Sequence, residues 1–174
     1  MRRFDEIIDL AVERHGGRDA LERMLAETRL LAPQDIAKIP DDRILAAMTR
    51  RVFSAGFSSK VIGAKWQSFE SAFEHFDPAR CAWMTEERFD ELLKDKDIVR
   101  NGAKIKSVQE NGRFLIELSK KHGSAARFLA EWPDANYVGL LDLLKKSGSR
   151  LGGEQECISC APSASQPLSR CPMS

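Results

Sequence analysis

The run Lys94-Asp95-Lys96-Asp97-Ile98-Val99-Arg100-Asn101-Gly102-Ala103-Lys104-Ile105 constrains this chain more than any other stretch. A helical pattern ends before it and a second begins inside it, so the chain reverses within a few residues. Ile98 and Val99 set two β-branched apolar side chains at the turn, with cations on either side. That is the pattern of a helix-hairpin-helix, in which the apolar tip packs inward and the second helix starts with its N–H groups outward. The first N–H groups of a helix have no partner inside it, and such a start attracts anions. Arg100 and Lys104 add positive charge there. Ile98, Val99, Arg100, Asn101, Gly102, Ala103 and Lys104 are therefore expected to hold a DNA backbone phosphate. A plain surface corner between two helices, dressed with solvated cations, is the competing reading of the same residues.

Bulk charge does not point to nucleic acid, because the formal net charge of the 174 residues is +1. Its distribution is more informative. Residues 94–127 hold nine Lys or Arg against four Asp or Glu, whereas residues 1–42 hold seven against ten. A basic half around the hairpin suits a phosphate-facing surface, with a solvated helix face as the alternative. No apolar run approaches the length that spans a bilayer. Met1-Arg2-Arg3-Phe4 leads into acidic sequence rather than an apolar signal region, so the cytoplasm is expected. Cys81 falls in a helical stretch and reads as a small core residue. Cys157-Ile158-Ser159-Cys160 lacks a His or a second pair to complete a metal set. No metal and no cofactor are expected.

Apolar residues recur at helical spacing along most of the chain. Phe4, Ile7, Ile8, Ala11 and Val12 mark a first helix that His15-Gly16-Gly17 ends, and Leu21, Met24 and Leu25 mark a second. After a turn around Ile36 and Ile39, Asp41-Asp42 reads as the capped, acidic start of a helix carrying Ile44, Leu45, Met48 and Val52. Gly56 permits a bend, and Ser58 or Ser59 caps a further helix through Val61, Ile62, Trp66, Phe69 and Phe73. Phe76-Asp77-Pro78 is a turn into a short helix, and Thr85-Glu86-Glu87 starts the helix before the hairpin. The longest helix, about Asn101 to Lys121, buries Ile105, Val108, Leu115 and Leu118. A short helix with Phe128 and Leu129 follows, and then one with Val138, Leu141 and Leu144 that Asp134 caps. Nothing alternates as a strand would. The expected fold is all-α, a helical bundle of about eight helices around one core.

The expected domain is 1–153. Residues 154–174 are rich in Ser, Pro and Cys without periodicity and read as a disordered tail. A shifted reading frame is the other reading of that tail, since Cys157 to Ser174 can be back-translated into an amphipathic segment in another frame. The nucleotide sequence decides between them.

Four motifs, in order, resemble DNA-3-methyladenine glycosylase I, a branch of the helix-hairpin-helix glycosylase superfamily. They are Ala55-Gly56-Phe57-Ser58; Phe73-Glu74-His75-Phe76-Asp77-Pro78 with Met84-Thr85-Glu86-Glu87; Ile98-Val99-Arg100-Asn101 through Lys104-Ile105; and the basic stretch from Lys145-Lys146 to Gly153. The resemblance spans Ala47 to Gly153. It implies hydrolysis of the N-glycosidic bond of 3-methyladenine in duplex DNA, with the damaged nucleotide flipped out of the stack. Such a base is already cationic and leaves neutral, so the enzyme needs an aromatic, water-poor pocket and a grip on the backbone more than a strong general acid.

The resemblance places the base pocket at Arg51, Phe53, Phe57, Ser59 and Trp66, with plain core packing as the alternative for the aromatic residues, and the better one for Trp66. Arg51 stands where the family has a pocket Glu, and Ser59 where it has a Trp. A cation about 4 Å from a cationic base costs roughly 4 kcal/mol at an effective dielectric of 20. Arg51 either reads a guanine-type edge or marks a silent site. The family's aromatic, zinc-binding N-terminal segment and its C-terminal zinc ligands have no counterpart here. Asp134, directly after Pro133, reads as a cap before a catalytic carboxylate, and no lysine nucleophile is evident. The leading expectation is a monofunctional glycosylase acting as a monomer on double-stranded DNA with a damaged base. The alternative is a non-catalytic helix-hairpin-helix module that binds DNA.

Overall fold

A computed structural model of the chain describes residues 4–26, 31–56, 58–133 and 136–151, and their regular structure is helical throughout. The backbone falls into two compact units, Met1–Leu31 and Ala32–Ser174. In the first, α1 (Phe4–Arg14) and α2 (Arg18–Ala26) are joined by a turn in which Gly16 and Gly17 take φ of 81° and 117°. A side chain at either position would strain that turn.

The second unit contains α3 (Pro33–Ile36), α4 (Asp41–Ser54), α5 (Ser59–Ala64), α6 (Trp66–Ala72), α7 (Pro78–Ala82), α8 (Glu86–Lys94), α9 (Gly102–His122), α10 (Ala125–Ala130) and α11 (Tyr137–Ser147). The described residues thus hold eleven α-helices, more than the eight or so expected. Pro33 starts a one-turn helix where the sequence suggested only a turn. The helix expected after Ser58 is broken at Lys65, whose φ and ψ of −95° and 3° leave the helical region.

The helix starts follow local chemistry. Side chains of Ser58, Asp77, Thr85, Asn101, Ser124 and Asn136 each accept a backbone N–H of the turn that follows. Such caps contribute about 1 kcal/mol each. Asp41 departs from its expected role. Pro40 holds the cap position of α4, and the Asp41 carboxylate instead accepts the N–H of Ala125 at 3.0 Å and the hydroxyl of Ser119. It joins the start of α4 to the start of α10, a long-range use that no local pattern reveals. Asp134 lies outside the described residues, and α11 is capped by Asn136.

α9 forms the axis of the unit. Ile105, Val108, Leu115 and Leu118 are buried on it, as expected, and α4 contributes Ile44, Leu45, Met48 and Val52 to the same core. α7 approaches α9 most closely at Gly112, where a Cβ would stand 3.1 Å from both Ala82 N and Pro78 O. The Phe76-Asp77-Pro78 motif aims α7 at that point: Phe76 is sealed in the core, Asp77 caps α7, and Pro78 is its first residue.

Just before this motif, Glu74, His75 and Phe76 form a left-handed turn with φ of 50°, 56° and 61°. Non-glycine residues rarely adopt that conformation. Arg43 secures it, donating to His75 O at 2.7 Å while its guanidinium forks onto both carboxylate oxygens of Glu70 at 2.9 and 3.0 Å. The rings of Trp66, Phe69, Phe73 and Phe76 stack beside it, with adjacent centroids 5.3 to 6.1 Å apart.

Two outcomes follow for this packing. Gly112→Val puts a branched side chain against two backbone atoms, and urea denaturation should show a loss of about 2 kcal/mol. Burial, reinforced by the carboxylates of Asp77 and Glu74, pushes the Cys81 thiol from its ordinary 9.0 up to about 12. Above pH 9 the unfolded thiol loses its proton while the folded one keeps it. Relative to Cys81→Ala, the native protein should lose about 1.4 kcal/mol per pH unit above that point in unfolding measured as a function of pH.

Candidate functional site

The hairpin expected from residues 94–105 is a tight reversal between α8 and α9. Asp95 ends α8, and its carboxylate accepts the Asp97 N–H at 2.8 Å. Ile98 is buried and Val99 packs half-buried against the core. Asn101 opens α9: its side chain accepts the Lys104 N–H at 3.1 Å, and its carbonyl accepts the Ile105 N–H at 2.9 Å. The start of α9 rests on α8, where a Cβ at Gly102 would stand 3.4 Å from Leu93 and 3.7 Å from the Phe89 ring. Among the described residues no acceptor meets the N–H of Gly102 or Ala103. Arg100 and Ala103 are exposed beside them. Two free N–H groups at the positive end of a 21-residue helix, next to an exposed guanidinium, make a place for one anion.

Lys104 does not share that task, which corrects the sequence expectation. It is 7% exposed, and its ammonium donates to Phe53 O at 3.3 Å and Ala55 O at 2.5 Å. The last carbonyls of α4 have no partner within their helix and carry its negative dipole end, so they draw the cation inward. A lysine that sequence reasoning passed over completes the arrangement. Lys65, at the break between α5 and α6, donates to Lys96 O at 3.0 Å and Asp97 O at 3.2 Å, within the hairpin turn. Nothing in the sequence distinguishes Lys65 from a surface lysine.

The residues expected to form a base pocket lie in different surroundings. Phe53 is fully buried, with its ring edge-on to Phe69 at 4.8 Å, so it belongs to the core and offers no face to a base. Trp66 is half-buried. It stacks on Phe69 and Phe76, donates through Nε1 to Glu70 at 2.9 Å, and has the Arg50 guanidinium 5.4 Å from its ring centre. Its ring is therefore engaged within the protein. Arg51 is exposed on the last turn of α4, and Ser59 is exposed at the first position of α5. Phe57, Asp134 and the tail 154–174 lie outside the described residues.

An open depression elsewhere is lined by Asp42, Glu74, His75, Asp77 and Arg80 among others, and by none of the expected site residues. Its three carboxylates disfavour a phosphate. No group of three or more His, Cys, Asp or Glu among the described residues is placed to hold a metal ion. No helix among them is long and apolar enough to cross a membrane.

The model of the methyladenine glycosylase family matches residues 37–139. DNA-3-methyladenine glycosylase 1 of Escherichia coli (strain K12) is 30% identical over 66 residues, which is 38% of this chain and 35% of that protein. The DNA-3-methyladenine glycosylase of Haemophilus influenzae is 25% identical over 88 residues, covering 51% and 46%. The matches thus span less than half the length of these curated relatives. The structure of 3-methyladenine DNA glycosylase I from Staphylococcus aureus superposes with a TM-score of 0.62 at 22% identity, covering 76% of this chain and 82% of that one, so the fold is shared.

A core role for Phe53 makes Phe53→Ala destabilising by about 4 kcal/mol in chemical denaturation. Were its ring a free pocket wall, the loss would stay below about 1 kcal/mol.

Proposed function

Since this chain belongs to the methyladenine glycosylase family, we propose that it is a DNA glycosylase of the 3-methyladenine I type. It hydrolyses the N-glycosidic bond of an alkylated base in base excision repair, as a cytoplasmic monomer on duplex DNA that contains the damaged base. The carrying observation is the start of α9, where the Gly102 and Ala103 N–H groups lack acceptors among the described residues and Arg100 is exposed. In this reading α8, the turn and α9 act as a helix-hairpin-helix and seat one phosphate oxygen. Backbone N–H groups cannot tell one sequence from another, so the contact positions the protein along the duplex without reading bases. Holding the backbone lowers the cost of keeping a nucleotide out of the stack, and a weakly paired, alkylated base costs least to extrude. Because such a base departs as a neutral molecule, a fixed backbone and a dry pocket supply much of what the reaction needs.

A second reading, a DNA-binding module without catalysis, is favoured by Arg51. Its exposed cation stands on the last turn of α4, at the position where the resemblance places a pocket Glu, and a cationic base would be repelled there. The burial of Phe53 and the stacked faces of Trp66 point the same way.

Incubation with methylated duplex DNA, with released bases measured by chromatography, separates the two. Base release that Arg51→Glu raises supports the enzyme. Salt-sensitive binding without release, in both proteins, supports the module. Arg100→Ala should weaken binding of any duplex alike and reduce the slope of log affinity against log salt by about 1. An unchanged slope removes the proposed grip.

A further inference from the structure

Two lysines cross between the α4–α5 segment and the hairpin in opposite directions. Lys104, on the first turn of α9, reaches the carbonyls of Phe53 and Ala55 at the end of α4. Lys65, at the end of α5, reaches the carbonyls of Lys96 and Asp97 in the hairpin. The segment from Ala55 to Lys65 is thereby tied at both ends to the same reversal that presents the start of α9. This segment contains Gly56, whose φ of 78° marks a sharp bend, and Ser59 at the start of α5. Arg51 stands one turn before it on α4.

Lysine is among the residues least often buried, and taking an ammonium out of water costs more than packing alone returns. A methionine of similar length would fill the volume around Lys104 without that cost. Carbonyl-bound ammonium groups do supply direction: each accepts only a narrow geometry and fixes two backbone carbonyls at once. We propose that Lys65 and Lys104 are a reciprocal pair of positioning residues that lock the α4–α5 segment to the hairpin, so that a phosphate seated on α9 sets the geometry of the segment that faces the extruded base. The inference rests on the DNA-binding reading given above for its second half, while the lock itself is a property of the free protein.

The test uses the full chain with Lys65→Met, Lys104→Met and the double variant, followed by amide hydrogen exchange. In the free protein, Lys104→Met should speed exchange of amides 55–64 by about tenfold or more while α9 beyond Val108 keeps its protection. Lys65→Met should do the same at residues 97–101, and either variant should loosen both segments. The double variant should add little to the singles, because each clamp depends on the other. Unmodified duplex DNA should then slow exchange at 55–64 in the wild type and in neither single variant. With methylated duplex at saturation, the single-turnover rate of base release should fall about tenfold in Lys65→Met and by clearly more than affinity for unmodified duplex falls, whereas Arg100→Ala should lose affinity instead.

Exchange that is unchanged in the opposite segment, or that rises evenly through the core, overturns the lock. A parallel loss of affinity and rate overturns the positioning role. A wild type that binds DNA but releases no base removes the enzyme reading alone, and the duplex-induced protection still decides the coupling. A wild type that binds no DNA removes the DNA-binding reading and the second half of the inference, and exchange in the free protein still decides the lock. Should Lys104→Met fail to fold, Lys65→Met, at a half-buried position, carries the same outcomes.

Discussion

α9 buries one face between Lys104 and Leu118, and the helices around it are placed by what its side chains allow. Its apolar residues set the core, but its polar ones set the neighbours. Gln109 donates to Met84 O at 2.9 Å, Arg113 to Ala82 O at 3.0 Å, and Lys104 to the end of α4. Asn111 satisfies both the N–H and the carbonyl of Ser149, at 2.7 and 3.1 Å, which draws the segment after α11 onto the same helix. A buried polar group without a partner costs more than its hydrogen bond returns. The buried ones, Lys104, Gln109 and Asn111, therefore permit one arrangement of their neighbours and penalise the rest. Gly112 completes the set by leaving out a side chain where α7 has to come close.

The left-handed turn at Glu74–Phe76 shows the same logic from the other side. Three residues in a disfavoured conformation persist because Arg43, Glu70 and a stack of four aromatic rings hold them. That stack also occupies Trp66, which meets Phe69 and Phe76. A ring engaged with Phe69, Phe76 and the Arg50 guanidinium is held by the protein itself. Phe53 is committed in the same way. Phe53, Trp66, Phe69, Phe73 and Phe76 pack helices together, and of the residues expected at a base pocket Arg51 and Ser59 are the exposed ones among the described residues. The start of α9 keeps the Gly102 and Ala103 N–H groups without acceptors among the described residues.

This division separates two physical requirements that a glycosylase has to meet together. Seating a phosphate takes a helix start and a cation, both available from a short run of sequence. Enclosing a base takes several aromatic faces brought together from distant positions and kept free of one another. Family membership speaks for the scaffold over residues 37–139.

Several helix starts were legible because they depend on neighbours in the chain. Asn101 caps a residue three positions on, Ser58 and Asp77 cap within their own turns, and Gly123 takes the positive φ that closes α9. The apolar tip at Ile98 and the inward face of α9 were legible for the same reason, since hydrophobic spacing is a local property. The destinations of Lys104, Lys65 and Asp41 were not. Their partners lie 51, 31 and 84 residues away, and a lysine bound for a buried carbonyl has the same local signature as one bound for water. Nor does periodicity distinguish a ring that packs against another ring from one that waits for a ligand. The sequence alone therefore settled most of the helices and which of their faces turn inward, because those outcomes follow from contacts within a few residues, while the break at Lys65 and the short helix at Pro33 escaped it. Which charges are spent inside and which remain for a partner was decided only when distant backbone carbonyls came within hydrogen-bond reach.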